Sequence, residues 1–304
     1  MKKIKAIIDM DIGDDIDDAF ALQYAINHPD FEISGVTVMY KNCYQRAKMA
    51  RALLEKNGIT NVGVYMGYDK PLVEEIKPFW YESIGKDGKA NLLSWDESLE
   101  KYPVEKQHAV DFMIETAKKY PGEVTLFGIG PMTNIAKAIE KAPEEMKKLK
   151  EIILMSGNRD MILEYNLMVD PEAAKIVYDS EIPVTLVGGN VTLKCNFFQR
   201  HLKRELEMKG EAFDFLNEMM MKWISYNMRP PIMHDALTLS VAAHDYVKFT
   251  PLSVEVQTEN GKRGKISVTE PIEGKKVFPA SLSVDNAGFL DHFFEIMEKT
   301  GKKE

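Results

Sequence analysis

The chain has 304 residues, 45% hydrophobic and 28% charged, enough to bury a sizeable core. Its net charge of −8 argues against nucleic-acid binding, which needs a basic surface to neutralise phosphates. Two cysteines, Cys43 and Cys195, cannot build a disulfide framework. No apolar run reaches membrane-spanning length, and the opening "MKKIKAIIDMD" has too short an apolar core for a signal peptide, so the expectation is a cytoplasmic protein with no membrane partner.

Short apolar runs alternate with amphipathic stretches along the chain. "KAIID" predicts a strand and "DDAFALQYAINHP" a helix ending near Pro29. "FEISGVTVMY" is strand-like, "YQRAKMARALLEKNG" is a helix stopped by Gly58, and "NVGVYM" is the next strand. A helix in "EKQHAVDFMIETAKKYPG" precedes strand "EVTLFGIG" and helix "MTNIAKAIEKAP". Strands "EIILMSG" and "IPVTLVG" flank a helix in "DPEAAKIVYDS". Strands separated by helices of this length predict an α/β fold with a mostly parallel, Rossmann-like central sheet. Near the C-terminus "LSVEVQTENGKRGKISVT" predicts a small β-hairpin around Asn260-Gly261. "SLSVD" and the helix "NAGFLDHFFEIMEK" follow. No linker, repeat or low-complexity tail interrupts 1–304, so one domain is expected.

The first polar cluster is unusual. Six of the ten residues from Asp9 to Asp18 are aspartates, between a strand and a helix. A helix N-terminus favours each nearby anion by only about 0.3–1 kcal/mol, so it cannot hold six carboxylates without a cation. All-oxygen donors suit Ca²⁺ or Mg²⁺, and the lack of Cys and His argues against zinc. An EF-hand loop does not fit, because Gly13, Asp14 and Phe20 stand at its fifth, sixth and twelfth positions. Asp9 and Asp11 also match the D-x-D of a Mg²⁺ phosphatase with Asp9 as nucleophile, although Gly13 stands where Thr or Val is expected. "TLFGIGPMTNIA" is a poor dinucleotide fingerprint and reads equally well as a tight capped turn. In "RPPIMHDALTLS", His234-Asp235 opens an apolar helix after two prolines.

Taken together, these segments resemble the inosine–uridine-preferring nucleoside hydrolase family. Asp9-Met10-Asp11-Ile12-Gly13 with Asp17-Asp18-Ala19 is similar to its D-T-D-x-G and DDA opening. "GPMTNIA" (130–136) resembles its GPLTNIA turn, "EYNLMVDPEAA" its E-F-N followed by DPEAA, and "HDAL" its HD-P-L. The resemblance implies hydrolysis of the N-glycosidic bond of a small-molecule ribonucleoside, one bound Ca²⁺, and a homodimer or homotetramer. It implies Asp11, Asp18, Asp235 and the Ile129 carbonyl as metal ligands, and Asp11 as the base that deprotonates a metal-activated water. Asp17, Asn42, Asn158, Glu164 and Asn166 match positions that hold the sugar hydroxyls. His234 would protonate or orient the leaving base, and Tyr165, Trp223 and Tyr226 could stack on it.

The departures concentrate on one half. The acidic loop is two residues longer than the common form, leaving Asp14 and Asp15 as extras. Ile84 stands where many members have a His, the loop before Glu164 is shorter, and "GGNVT" replaces L-D-V-T. The ribose and metal half is intact and the base half altered, so a riboside-binding member without turnover stays open as an alternative.

Overall fold

The apolar runs become strands, and their order places the polar clusters. The structure is a computed structural model that describes residues 3–73, 92–159, 163–259 and 261–299. Among these residues the strands are β1 (Ile4–Met10), β2 (Phe31–Val38), β3 (Gly63–Met66), β4 (Val124–Gly128), β5 (Glu151–Met155), β6 (Val184–Val187), β7 (Val247–Gln257), β8 (Lys265–Thr269) and β9 (Val277–Val284). They form one open sheet in the order β3-β2-β1-β4-β5-β6-β9-β7-β8. The first six are parallel, as the strand–helix alternation predicts. The C-terminal hairpin of β7 and β8 is antiparallel and extends this sheet, because β9 pairs in parallel with β6 and antiparallel with β7. Asn260, at the hairpin's turn, and Ile84 lie outside the described residues.

Among the described residues the helices are α1 (Asp17–Asn27), α2 (Cys43–Lys56), α3 (Ala109–Lys119), α4 (Thr133–Lys141), α5 (Pro143–Met146), α6 (Tyr165–Val169), α7 (Pro171–Asp179), α8 (Gly189–Thr192), α9 (Gln199–Glu207), α10 (Glu211–Asn227), α11 (His234–Ser240) and α12 (Asn286–Glu298). The alternation of β1 shows the layering. Ala6, Ile8 and Met10 pack with Phe20, Leu53, Leu237 and Phe293 of α1, α2, α11 and α12. Ile7 faces the other way, toward Met113, Ile135 and Val177 of α3, α4 and α7. Among the described residues no helix is long and apolar enough to cross a membrane.

Strand order reverses between β1 and β4, since the chain runs from β1 outward to β3 and then returns to β4 on the other side. Ligands of open parallel sheets bind beyond the carboxyl ends of the strands at such a switch. The acidic loop leaves β1 there, and "GIGPMTN" leaves β4 beside it.

Candidate active site

The β1–α1 loop carries the carboxylates inward because its backbone is fixed from below. Gly13 has φ +117°, and a Cβ there would lie 2.5 Å from the Met49 methyl carbon of α2. Gly130 is needed for a different reason, since its Cβ would fall 2.6 Å from Asp11 Oδ1. The glycine of the β4 turn thus leaves room for the acid of the β1 turn.

Asp17 and Asp18 open α1, and Asp235 opens α11, more than 200 residues later in the chain. One oxygen of each lies within 4.8 Å of the other two, and all three side chains are buried. The Asp235 amide donates to Asp17 Oδ2 at 3.2 Å, and the Asp11 amide to Asp18 Oδ1 at 3.1 Å. Burial first, then neighbouring carboxylates, push all three carboxyls well above the ordinary range. Burial also raises Asp11 to about 7, with Arg46 opposing the rise. The dominant charges on Asp17 and Asp235 are other carboxylates. Buried like charges at these distances fit a bound cation, and their oxygen donors fit a hard one.

The remaining expected residues have partners of their own. The Ile129 carbonyl accepts from Asn166 Nδ2 at 3.0 Å, and the same amide reaches the Met155 carbonyl at 3.1 Å. Asn166 therefore ties the ends of β4 and β5 together. Glu164 caps α6, accepting from the amides of Asn166, Leu167 and Gly157 at 2.7, 3.0 and 3.1 Å. Burial nonetheless holds its carboxyl up at about 7. Asn158 packs against Gly189, whose Cβ would meet Asn158 Nδ2 at 2.9 Å. Asn42 caps α2 and ends three consecutive residues at positive φ, Tyr40, Lys41 and Asn42. Tyr165 packs edge-on to Tyr40, with centroids 6.4 Å apart. His234 Nδ1 lies 2.6 Å from Thr192 Oγ1, and burial followed by the Arg229 charge lowers its pKa to about 4.

Asp9 stands apart from the carboxylate group. Its Oδ1 accepts from Thr37 Oγ1 at 2.6 Å and Asn134 Nδ2 at 3.0 Å, while Oδ2 is buried without a partner. A phosphatase nucleophile needs an accessible oxygen, so that reading of Asp9 is corrected: it is an internal strut at the end of β1. "GPMTN" and "DPEAA" are struts as well. Thr133 Oγ1 donates to Asp170 Oδ2 at 2.6 Å, and Asp170 caps α7.

Arg46 is a residue that sequence reasoning did not single out. Its fully buried guanidinium donates to the carbonyls of Asp11, Ile12 (3.0 Å) and Tyr40 (2.7 Å), and pairs with Asp14 at 2.6 Å. It joins the acidic loop to the strained β2–α2 turn and gives the extra Asp14 a role. Its signal was present: Arg46 falls in register with Ala50 and Leu53 on the apolar face of α2. The second extra, Asp15, reaches Arg229 at 3.4 Å, and Arg229 lies over the Trp223 ring at 4.7 Å.

Comparison with known proteins shows what the chain is similar to. A probable uridine nucleosidase 2 of Arabidopsis thaliana is 31% identical over 275 residues, 86% of this chain and 84% of that protein. A pyrimidine-specific ribonucleoside hydrolase RihB of Escherichia coli (strain SE11) is 29% identical over 98% of this chain and 97% of its own. The purine-preferring ribonucleoside hydrolase from Gardnerella vaginalis superposes with a TM-score of 0.84 at 29% identity, covering 99% of this chain and 100% of that one. The family model for inosine-uridine preferring nucleoside hydrolase matches residues 6–291, which takes in both ends of the carboxylate group. With the acidic loop, the β4 turn and the start of α11 all inside that match, the chain belongs to the inosine-uridine preferring nucleoside hydrolase family.

Proposed function

We propose that this chain hydrolyses ribonucleosides to free base and ribose at a Ca²⁺ held by Asp11, Asp18, Asp235 and the Ile129 carbonyl. The observation that carries the proposal is the convergence of Asp18 and Asp235, with Asp17, within 4.8 Å in a buried setting, and the Asp11 amide donating to Asp18 Oδ1 at 3.1 Å. Three carboxylates, one carbonyl and two sugar hydroxyls make a shell of the size Ca²⁺ takes with oxygen donors. A cation held there would supply charge neutralisation and lower the pKa of a water.

The protein's own groups do the rest. Asp11 would take the proton of the water, the role its position beside Asp18 favours. As the base departs, positive charge grows on the sugar, and the surrounding carboxylates stabilise it. Asp17, Asn42, Asn158, Glu164 and Asn166 hold the ribose. Asn166 spends its amide nitrogen on two carbonyls, which leaves Oδ1 to accept a hydroxyl. His234 is neutral near pH 7. It therefore orients the leaving base through Nε2 rather than supplying an imidazolium proton. Tyr165 would stack on the base.

The relatives are named for uridine, pyrimidine and purine nucleosides, so the base preference of this chain is a matter for measurement. Both cysteines are free and buried, which suits the cytoplasmic setting we propose together with a homodimer or homotetramer. The test is ribose release from inosine, uridine, cytidine and adenosine, with chelator and after Ca²⁺ is restored. Release that chelator removes and Ca²⁺ restores supports the proposal. Binding of nucleoside and Ca²⁺ without release from any of the four would overturn it in favour of a non-catalytic riboside binder.

A further inference from the structure

The helices that open at the carboxylates carry a second group of side chains where they end. α1 is capped by His28, α11 is followed by His244, and α12 contributes His292. Eleven helical residues separate this group from Asp17 by about 15 Å. One ring nitrogen of each histidine lies within 4.8 Å of the other two. His28 is buried, while His244 and His292 are half-buried. The rings of His244 and His292 meet edge to face with centroids 4.3 Å apart, and Tyr24, Phe31 and Tyr246 wall the group.

The three rings are held by one hydrogen bond and leave one ring nitrogen without a partner. His28 Nε2 and His244 Nε2 lie 2.9 Å apart, a hydrogen bond carried by the ring proton of one histidine that a shared cation would replace. His292 Nδ1 is buried and has no hydrogen-bond partner, which is rare for a ring nitrogen in a folded interior. Burial, and for His28 and His292 the His244 charge, disfavour the imidazolium form of all three rings. Neutral imidazoles are the form that binds a metal.

We propose that His28, His244 and His292 form a second metal site, for a divalent transition cation of the Zn²⁺ class. Three nitrogen donors with no carboxylate among them suit a borderline cation and not Ca²⁺. The partial exposure of His244 and His292 leaves an entry path and room for a fourth ligand. Bonds of about 2.0–2.1 Å at tetrahedral angles would spread the His28–His244 contact by a few tenths of an ångström. His28 Nδ1 now accepts from the Asp30 amide at 3.2 Å. Ligation through Nε2 would move the ring proton to Nδ1, so the Asp30 amide contact would have to give way. A metal here would pin the ends of α1, α11 and α12 together without touching substrate, and it stands independently of the proposed reaction.

The probe is Co²⁺, added to chelator-treated protein after the carboxylate site has been saturated with Ca²⁺. The expected result is one equivalent of Co²⁺ with the intense visible absorption of a four-coordinate site, displaced by Zn²⁺. A His244→Ala/His292→Ala double variant should lose that band, and Asp18→Asn and Asp235→Asn should keep it. Because the two histidines are only half-buried, circular dichroism should show the double variant folded, and His292→Ala alone gives a second, milder reading. No band in the native chain, a band that survives both histidine variants, or one lost in the aspartate variants would overturn the proposal.

Discussion

The proposed ribose side and the proposed base side of the site are built in opposite ways. On the ribose side, buried carboxylates are locked by backbone amides, by Gly13 and Gly130, and by the Arg46 guanidinium. On the base side, the end of α10 and the segment before α11 present Tyr226 at 55% and Met228 at 84% exposure. Positions fixed by packing can keep reacting groups within fractions of an ångström, whereas an exposed helix end can change side chains at little cost. The comparison teaches that reaction type should be read from the first region and base preference from the second.

Three variants would break or sharpen that contrast. Asp11→Asn removes the proposed base while keeping the shape, and ribose release should fall roughly 10²–10⁴-fold with the fold intact by circular dichroism. Arg46→Met leaves Asp14 and three backbone carbonyls without their donor. Breaking a buried pair typically costs about 3–5 kcal/mol, measurable by urea unfolding, and a second change, Asp14→Asn, should recover part of it. The base side offers a smaller effect: Tyr226→Ala should change the ranking of nucleosides by less than about tenfold, with stability unchanged within roughly 0.5 kcal/mol.

The third effect in size concerns α9, away from both regions. Glu205 is fully buried, both its oxygens lack partners, and burial alone raises its pKa to about 8 from 4.5. A raised carboxyl binds its proton more tightly in the folded chain, so its contribution is full below the unfolded value and is lost as pH rises toward 8. Between pH 5 and 7 the loss should be on the order of 2–3 kcal/mol, and Glu205→Gln should flatten that part of the stability profile. A profile unchanged by the substitution would remove Glu205 as its source.

Much of the fold was legible because parallel strands and their helices announce themselves by period. Helix α1 stops at His28, before Pro29, and α2 runs into Gly58, as their breakers predict. The helices α9 and α10 were not read, since "QRHLKRELE" offers few apolar residues and "EAFDFLNEMMMKWISYN" spreads them around much of the helix. Nor could local pattern show that β9 bridges the hairpin to β6, a pairing across more than 90 residues. In the site, the aspartates stood out by density, but Arg46 hid inside an ordinary amphipathic helix. The role of Asp14 could be seen only once the two loops were brought together.

The central claim is that the buried carboxylates of the two chain ends hold a divalent cation. The most direct test is thermal unfolding of chelator-treated protein against a Ca²⁺ titration, with Asp235→Asn as control. Binding only to the folded state adds about 2.7 kcal/mol at a hundredfold excess over Kd, a rise of several degrees in Tm. The account predicts that rise in the native chain and its near loss in Asp235→Asn. An unchanged Tm in the native chain, or an equal rise in both proteins, would contradict it.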